Sequence, residues 1–224
     1  MLVEIPALLS AKKLADISAI LDKATFVDGK LSAGSAAARV KQNEEIPSDA
    51  AHWQQLNNLV MAPLVAHPIF QHAVLPHRVA SAFFARYNNG QHYGEHIDDP
   101  VMGPQGGRYR CDVSFTVFLN SPEEYTGGEL RIRTAYGHQD IKLDAGHVII
   151  YPASSLHQVL PVTGGERRVA VSWAQSLIRD AAQRELLYEL HRARETLMMK
   201  QPDAEVTRQV DHSYVNLVRM WSEL

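Results

Sequence analysis

Asp-Val-Ser-Phe-Thr-Val-Phe-Leu-Asn, residues 112–120, has the most regular pattern in this chain. Its apolar side chains fall at every second position and form one face, made up of Val113, Phe115, Val117 and Leu119. The other face carries the polar side chains Asp112, Ser114 and Thr116. Because successive side chains of a strand point to opposite faces, this alternation predicts a β-strand.

Short apolar runs separated by turn residues continue on both sides of this stretch. They begin after Pro76 with residues 78–87, and the last of them is 168–173. About eight short strands with no long helix between them indicate an antiparallel double-sheet jelly roll of the cupin kind. We therefore predict an α+β chain that is mainly β, with a double-stranded β-helix core at residues 76–176.

Residues 1–75 are predicted to form a mainly helical region that supports this core. Ser10 is the predicted N-cap of a first helix, and Ser48 or Asp49 is the predicted N-cap of a second. A short third helix is predicted at residues 68–73. Strands in this part of the chain are ambiguous, because the apolar residues between the first two helices follow no clear period.

Residues 177–224 return to a helical period and predict a C-terminal helical hairpin. One apolar stripe is Ala182, Leu186, Leu190, Ala193 and Leu197, and a second is Val206, Val210, Tyr214, Leu217, Trp221 and Leu224. Pro202 separates the two stripes, as expected of a turn between helices. Each stripe needs a surface to bury against. We favour packing within the chain, and the same stripes would permit a homo-oligomer through these helices.

The composition is that of a globular protein without a polyanionic partner. The chain has 224 residues, 46% of them hydrophobic and 21% charged, and a formal net charge of -3. We therefore expect no nucleic-acid partner. The N-terminal residues resemble no signal peptide and no apolar run is long enough to span a bilayer, so we expect no membrane association. Cys111 is the only cysteine, and a reducing, cytoplasmic location is the simplest interpretation.

A candidate metal site begins in residues 87–98, Tyr-Asn-Asn-Gly-Gln-His-Tyr-Gly-Glu-His-Ile-Asp. The strand that carries this stretch is predicted to end at Asp98, so the side chains of His96 and Asp98 project to the same face. A second histidine would complete the triad of two histidines and one carboxylate that binds Fe(II) in non-heme oxygenases. His157, on a later predicted strand, is the best candidate.

A cation for binding a carboxylate is predicted ten residues beyond His157. A hairpin through the turn at residues 163–165 would return the chain and place Arg167 near His157. Strand parity and this spacing favour Arg167 over its neighbour Arg168. A guanidinium at the bottom of an apolar cavity suits bidentate binding of a carboxylate.

Together these motifs resemble those of a known family. Arg-Tyr-x-x-Gly-x-x-Tyr-x-x-His-x-Asp at residues 86–98, Gly-Gly-Glu-Leu at residues 127–130, His157 and the ten-residue step to Arg167 resemble the prolyl/lysyl-hydroxylase-type 2-oxoglutarate dioxygenases. The length and helical C-terminus resemble the bacterial PKHD-type hydroxylases, a branch associated with iron uptake. His-x-Asp alone would be a weak signal, but the combined motifs are specific.

The resemblance implies a role for each candidate residue. His96, Asp98 and His157 would bind Fe(II), Arg167 would bind the distal carboxylate of 2-oxoglutarate, and Tyr87 would contact the same cosubstrate. The implied reaction uses dioxygen, releases succinate and carbon dioxide, and hydroxylates a peptidyl residue, an amino acid or a siderophore-like small molecule. L-ascorbate would serve as a reductant, and the branch implies a link to iron homeostasis.

The sequence departs from the family at one position. Some relatives place a second tyrosine near the distal carboxylate, in the strand before the Leu-Asn pair. Here that strand offers Phe118, with Ser114 or Thr116 as the nearby hydroxyls. The residue that assists Arg167 therefore stays open at this point.

Two other classes of function fit parts of the pattern. A non-catalytic protein that responds to iron or 2-oxoglutarate could use the same scaffold, since a fold does not fix an activity. A zinc hydrolase can also use two histidines and one carboxylate, but it leaves Arg167 without a role. The combination of a complete triad with Arg167 favours the dioxygenase.

Overall fold

The computed structural model describes residues 1–224 and contains seventeen β-strands and five α-helices. The strands are β1 (Val3–Ile5), β2 (Val27–Asp28), β3 (Lys41–Gln42), β4 (Glu44–Glu45), β5 (Pro76–Val79), β6 (Phe83–Tyr87), β7 (His92–His96), β8 (Val101–Met102), β9 (Tyr109–Arg110), β10 (Val113–Phe118), β11 (Tyr125–Gly127), β12 (Leu130–Thr134), β13 (Gly137–Ile141), β14 (Val148–Pro152), β15 (His157–Val159), β16 (Val162–Gly165) and β17 (Arg167–Ser176). The helices are α1 (Ala11–Leu21), α2 (Trp53–Ala66), α3 (Pro68–Val74), α4 (Ala181–Lys200) and α5 (Glu205–Trp221). The prediction of about eight strands was too low, because many strands are only two or three residues long.

Two antiparallel sheets form the centre of the molecule. The large sheet has eight strands in the order β1-β14-β10-β17-β6-β4-β2, with β5 paired to β17. The small sheet has five strands in the order β13-β12-β15-β7-β3. This combination of antiparallel sheets with helices confirms the predicted α+β class with a jelly-roll core, although the helices contain about as many residues as the strands, so the chain is mixed rather than mainly β.

The alternating strand β10 separates two parts of the interior. Val113 and Phe115 belong to a core of 22 buried residues that also includes Leu56 of α2. Ser114 and Thr116, on the opposite face, are equally buried but line a cavity between the sheets. The polar face of β10 is therefore directed at a potential site rather than at solvent.

The N-terminal helices match the prediction in part. Ser10 caps α1, and its side chain accepts a hydrogen bond of 3.4 Å from the backbone N–H of Lys13. The third predicted helix is present as α3. The prediction for the start of α2 was wrong: His52 is its N-cap and makes no capping hydrogen bond through its side chain. The polar residues at 48 and 49 instead lie in a turn before the helix.

The predicted C-terminal helical hairpin is present as α4 and α5, but the buried face of α4 differs from the predicted stripe. Leu186 is 57% exposed, whereas Arg184, Leu187 and His191 are buried. Arg184 tolerates burial because its guanidinium donates to three main-chain carbonyl groups. A hydrophobic pattern counts arginine and histidine as polar, so it placed the face one residue away. None of the helices is long and apolar enough to cross a membrane.

Two details of the predicted strands were wrong. Strand β7 ends at His96, so Asp98 lies beyond the strand and does not follow its alternation. The expected hairpin between His157 and Arg167 is also missing, since β15 lies in the small sheet and β17 in the large one. The intervening strand β16 pairs with β11. The two sheets, rather than one hairpin, bring these residues to a common cavity.

The division of the chain into residues 1–75, 76–176 and 177–224 stays a prediction. Strand β5 begins at Pro76 and β17 ends at Ser176. Strands β1 to β4 of the first range nevertheless belong to the two central sheets. The N-terminal region therefore contributes to the walls of the core as well as supporting it.

Candidate functional site

Three potential metal ligands converge between the two sheets. His157 of β15 lies directly opposite His96 of β7 in the strand register. Oδ1 of Asp98 is 4.0 Å from Nε2 of His96 and 3.9 Å from Nε2 of His157. Two atoms that bind one ion at about 2.1 Å can be at most about 4.2 Å apart. Both separations satisfy this limit, so the three residues can share a divalent ion.

A hydrogen bond orients each of these side chains. Nδ1 of His96 lies 2.8 Å from the carbonyl oxygen two residues before it, and Nδ1 of His157 lies 2.9 Å from the corresponding carbonyl. With a proton on Nδ1, each ring directs the lone pair of Nε2 toward Asp98. The hydroxyl of Ser114 donates to Oδ2 of Asp98 at 2.5 Å, which leaves Oδ1 available to a metal.

Aromatic rings enclose the two histidines. The ring of Tyr93 stacks on His96 with 3.6 Å between ring centroids, and Tyr151 contacts His157 edge-on at 5.2 Å. Burial, and secondly the neighbouring His157, lower the pKa of His96 to about 4. His96 is therefore neutral near pH 7, the form that binds a metal ion.

The three residues open onto a cavity of about 620 Å³. Its inner part holds Tyr87 and Arg167, which are 4% and 1% exposed. Its outer wall includes the half-buried rings of Trp53, Phe83 and Trp173. The volume is within the usual range for small-molecule sites, about 300–1,000 Å³, and the aromatic outer wall suits a ligand with an apolar surface.

Arg167 provides a buried positive charge at the inner end of this cavity. Its Nε and Nη1 atoms have no hydrogen-bond partner. Its Cζ atom lies 5.1 Å from the ring centroid of Tyr87 and 5.5 Å from that of Phe118. Taking a charge out of water costs several kcal/mol unless a partner offsets it. A carboxylate bound here would supply both the opposite charge and the missing acceptors.

The neighbouring arginine has a different environment. Arg168 forms ion pairs with Glu166 and with Asp22, the latter at 2.6 Å. It lies on the face of β17 opposite to Arg167, as the alternation of the strand requires. Of the two candidates, only Arg167 lines the cavity.

Tyr125 of β11 lies beside Arg167, and the sequence reasoning did not identify it. Burial raises the pKa of Tyr125 and the Arg167 guanidinium opposes this increase, while the hydroxyl makes no hydrogen bond of good geometry. A Cβ atom at Gly128, whose φ is +69°, would lie 3.0 Å from Cδ of Arg167 and 3.2 Å from Cε2 of Tyr125. The second glycine of the Gly-Gly pair thus leaves room for both side chains.

Two more residues of the inner cavity were not identified from the sequence. Tyr151 is fully buried on β14 and lines the cavity next to His157. Asn43 is 3% exposed, and neither atom of its carboxamide has a partner. Asn43 is far along the chain from the recognisable motifs, and Tyr151 lies on the strand before His157 but outside the matched pattern. A single tyrosine or asparagine in such a position carries no distinguishing signal.

Family profiles match the second and larger part of the chain, and relatives match its whole length. A profile described as the 2OG-Fe(II) oxygenase superfamily matches residues 82–175, and one described as the PKHD-type hydroxylase C-terminal domain matches residues 181–223. A PKHD-type hydroxylase of Thioalkalivibrio sulfidiphilus is 55% identical over 224 residues, which is 100% of each chain.

Solved structures with low sequence identity share the fold. A prolyl-4-hydroxylase of Pseudomonas putida superimposes with a TM-score of 0.54 at 20% identity, over 78% of this chain and 92% of that one. A prolyl hydroxylase from Trichoplax adhaerens superimposes with a TM-score of 0.57 at 17% identity, over 83% of this chain and 86% of that one. At these identities the likeness shows the architecture alone.

Proposed function

The chain belongs to the PKHD-type hydroxylase family and is a 2OG-Fe(II) oxygenase, and on this premise we propose that it hydroxylates a substrate bound in the outer part of its cavity. The observation that carries the proposal is the meeting of two sets of groups in one cavity. Three side chains that could bind one metal ion lie on one side, and a buried guanidinium with unpaired donors lies deeper inside.

His96, Asp98 and His157 would hold Fe(II). Two imidazoles and one carboxylate are the donor set of the facial triad, which leaves coordination positions open for other ligands. Ser114 and the two main-chain carbonyls that support the imidazoles keep the donor atoms directed at one point. The protein therefore supplies a site whose ligand orientation is fixed before a metal binds.

Arg167 would bind the distal carboxylate of 2-oxoglutarate, and Tyr87 beside it would contact the same molecule. With dioxygen, Fe(II) and 2-oxoglutarate together supply the oxidation of a C–H bond, with release of succinate and carbon dioxide. Arg167 fixes one end of the cosubstrate, and the enclosed cavity excludes bulk water around its other groups.

The substrate would lie against Trp53, Phe83 and Trp173 at the outer wall of the cavity. These half-buried rings offer apolar surface near the open side of the site. A peptidyl residue, an amino acid and a siderophore-like small molecule are the proposed substrate classes. Ascorbate as a reductant and a link to iron homeostasis are predictions supported by the family resemblance.

The first test is binding and turnover of the cosubstrate by purified protein supplied with Fe(II) and ascorbate. We expect 2-oxoglutarate to bind to the Fe(II) protein and succinate to form in the presence of dioxygen. Binding without any succinate would favour the non-catalytic responsive protein instead. The absence of both 2-oxoglutarate binding and succinate formation would contradict the proposal.

The substrate can then be sought without a prior candidate. Metabolites and peptides of cells that contain the protein are compared with those of cells that lack it. We expect a product that is heavier by one oxygen atom and that disappears when His96 is replaced by alanine.

A further inference from the structure

The segment from Lys41 to Glu45 crosses between the two sheets and closes one side of the cavity. Its first strand, β3, pairs with β7, which carries His96. Its second strand, β4, pairs with β6, which carries Tyr87. Lys41, Asn43 and Glu45 alternate along the segment and all line the cavity. The segment therefore pairs both with the strand that carries His96, a proposed metal ligand, and with the strand that carries Tyr87, which lies beside Arg167.

The two ends of this segment are held by a buried ion pair. Nζ of Lys41 lies 2.5 Å from Oε1 of Glu45, and both side chains are 7% exposed. Ser32 hydrogen-bonds to Nζ of Lys41 at 2.9 Å and to Oε2 of Glu45 at 2.5 Å. The charges at both ends are therefore satisfied within the protein.

Asn43, between these two residues, has the opposite character. Its side chain is buried, yet neither Nδ2 nor Oδ1 has a hydrogen-bond partner. Each unpaired buried polar group costs about 1–3 kcal/mol. A valine or leucine would avoid that cost, so a carboxamide here calls for a partner outside the present set of contacts.

The surroundings of Asn43 are shaped to fit its side chain. The N–H of Gly29 donates to the main-chain carbonyl of Asn43 at 2.9 Å. A Cβ atom added at Gly29 would overlap Oδ1 of Asn43. Glycine at position 29 therefore provides the space that the carboxamide occupies.

Asn43 lines the same cavity as the two residues proposed to bind the cosubstrate. Glu44 pairs with Arg86 and Glu45 with Ala85, and extending this register by one residue beyond β4 would set Asn43 opposite Tyr87. Tyr87 in turn pairs with Arg167. Side chains directly opposite on neighbouring strands share a face and contact each other. A carboxamide, a phenol and a guanidinium thus lie side by side along the inner wall.

We propose that Asn43 is a positioning residue for 2-oxoglutarate: its Nδ2, which has no hydrogen-bond partner in the structure, would donate to the Tyr87 hydroxyl oxygen in the cosubstrate complex, so that the phenol directs its own proton at the distal carboxylate held by Arg167. This inference rests on the proposed function. Burial raises the pKa of Tyr87 to about 12, while Arg167 and Asn43 lower it, which agrees with a carboxamide donor beside the phenol. At pH 7 the phenol is protonated and can act as a donor.

The test measures the dissociation constant of 2-oxoglutarate by anaerobic titration of the Fe(II) protein, which needs no turnover. We expect Asn43→Ala to raise this constant about tenfold, as for the loss of one hydrogen bond that supports a charged group. Asn43→Asp keeps the shape but replaces the donor by a carboxylate, and we expect it to weaken binding at least as much. At saturating 2-oxoglutarate, kcat should change less than twofold in the alanine variant.

A double-mutant cycle identifies the route of the effect. If Asn43 acts through Tyr87, the Asn43→Ala change should cost less than about twofold in a Tyr87→Phe background. The matched control is Asn57→Ala, which removes a buried amide that accepts from the N–H of Ala82 at 2.7 Å outside the cavity. We expect this control to lower the unfolding temperature and to leave the dissociation constant unchanged.

The outcomes that overturn the inference are distinct from those that overturn the proposed function. Wild-type binding by both Asn43 variants, or an equal cost in the two backgrounds, would exclude the positioning role while the oxygenase proposal stands. An Fe(II)-loaded wild-type protein that fails to bind 2-oxoglutarate would remove the proposed function and this inference together.

Discussion

The two sides of the cavity differ in how their polar groups are satisfied. On one side, which we call the metal side, lie the proposed metal ligands His96, His157 and Asp98. Each of them has a hydrogen bond that fixes its orientation. On the other side, which we call the inner side, lie Arg167 and Tyr125. Both have buried polar atoms without a hydrogen-bond partner. Of the six unpartnered buried side-chain atoms in the protein, five belong to Asn43, Tyr125 and Arg167.

This difference separates two ways of preparing a binding site. The metal side is oriented by groups of the protein, so an ion needs only to complete a set of donors that already point at it. The inner side holds donors that are unpaired in the protein, so an incoming carboxylate would relieve their desolvation cost. Changes on the first side should act on the metal, and changes on the second should act on 2-oxoglutarate.

The largest expected effect comes from replacing a metal ligand. His96→Ala or Asp98→Ala should reduce succinate formation to the background of the assay, because a triad with two remaining donors holds Fe(II) poorly. The measurements are succinate formation and Fe(II) binding to the purified variant. His92→Ala, which removes a histidine from the same strand outside the cavity, should keep both. Full activity in the His96 variant would show that the three donors are not the metal site.

Replacing Arg167 should affect the cosubstrate and spare the metal. We expect Arg167→Met to weaken 2-oxoglutarate binding roughly 100-fold, the cost of removing one partner of a buried charged pair. Fe(II) affinity should stay within about twofold of the wild type. Binding titrations of both ligands make the comparison, with Arg168→Ala as the control that removes the neighbouring guanidinium. Equal losses of affinity for Fe(II) and for 2-oxoglutarate would contradict the proposed division of the cavity.

The Arg167→Met variant also tests whether the unpaired charge of Arg167 destabilises the folded protein when no 2-oxoglutarate is bound. A buried charge without a partner destabilises the folded state, and methionine fills a similar volume without that charge. We therefore expect the unfolding temperature of Arg167→Met, measured without 2-oxoglutarate, to be no lower than that of the wild type. A clear decrease would show that Arg167 also stabilises the fold.

A smaller effect is expected from the hydroxyl that supports Asp98. Ser114→Ala removes the hydrogen bond to Oδ2 and should weaken Fe(II) binding about 10- to 100-fold, the usual cost of losing such a supporting contact. Ser176→Ala is the matched control, because it removes a buried hydroxyl that donates to a main-chain carbonyl outside the cavity. That control should lower the unfolding temperature and leave Fe(II) binding unchanged. Unchanged metal affinity in the Ser114 variant would mean that the carboxylate holds its orientation unaided.

The smallest expected effect tests which group assists Arg167 in binding the distal carboxylate of 2-oxoglutarate. Tyr125→Phe removes a single hydroxyl next to the guanidinium, and we expect 2-oxoglutarate to bind about three- to tenfold more weakly. Phe118→Tyr would add a phenol on a ring whose centroid lies 5.5 Å from Cζ of Arg167, and it should restore part of the lost affinity in the Tyr125→Phe background. Identical binding by wild type and Tyr125→Phe would exclude Tyr125 from the carboxylate site.

The residues predicted from the sequence share one property: their signal is local. His96 and Asp98 are two residues apart, and His157 and Arg167 are a fixed step apart, so their chemistry and spacing form a readable pattern. Asn43 has no such pattern, because it lies between β3 and β4, far in sequence from the motifs. Tyr125 lies on β11 just before Gly127, but a single tyrosine there carries no distinguishing signal. The hairpin expected between His157 and Arg167 failed for the same reason, since strand pairing depends on partners far away in sequence.

The sequence by itself determined the strand alternation of residues 112–120, the capped first helix, the C-terminal hairpin and the candidate donor set. The alternation and the two helical elements follow from short-range side-chain periods and capping along the chain, whereas the donor set follows from residue types at the spacing of a recognisable motif. Only the tertiary structure decided which face of β10 lines the cavity, that β15 and β17 lie in different sheets, and that Asn43 lines the same cavity as Tyr87 and Arg167. These features depend on long-range pairing of strands, in which the register between distant segments sets which side chains meet.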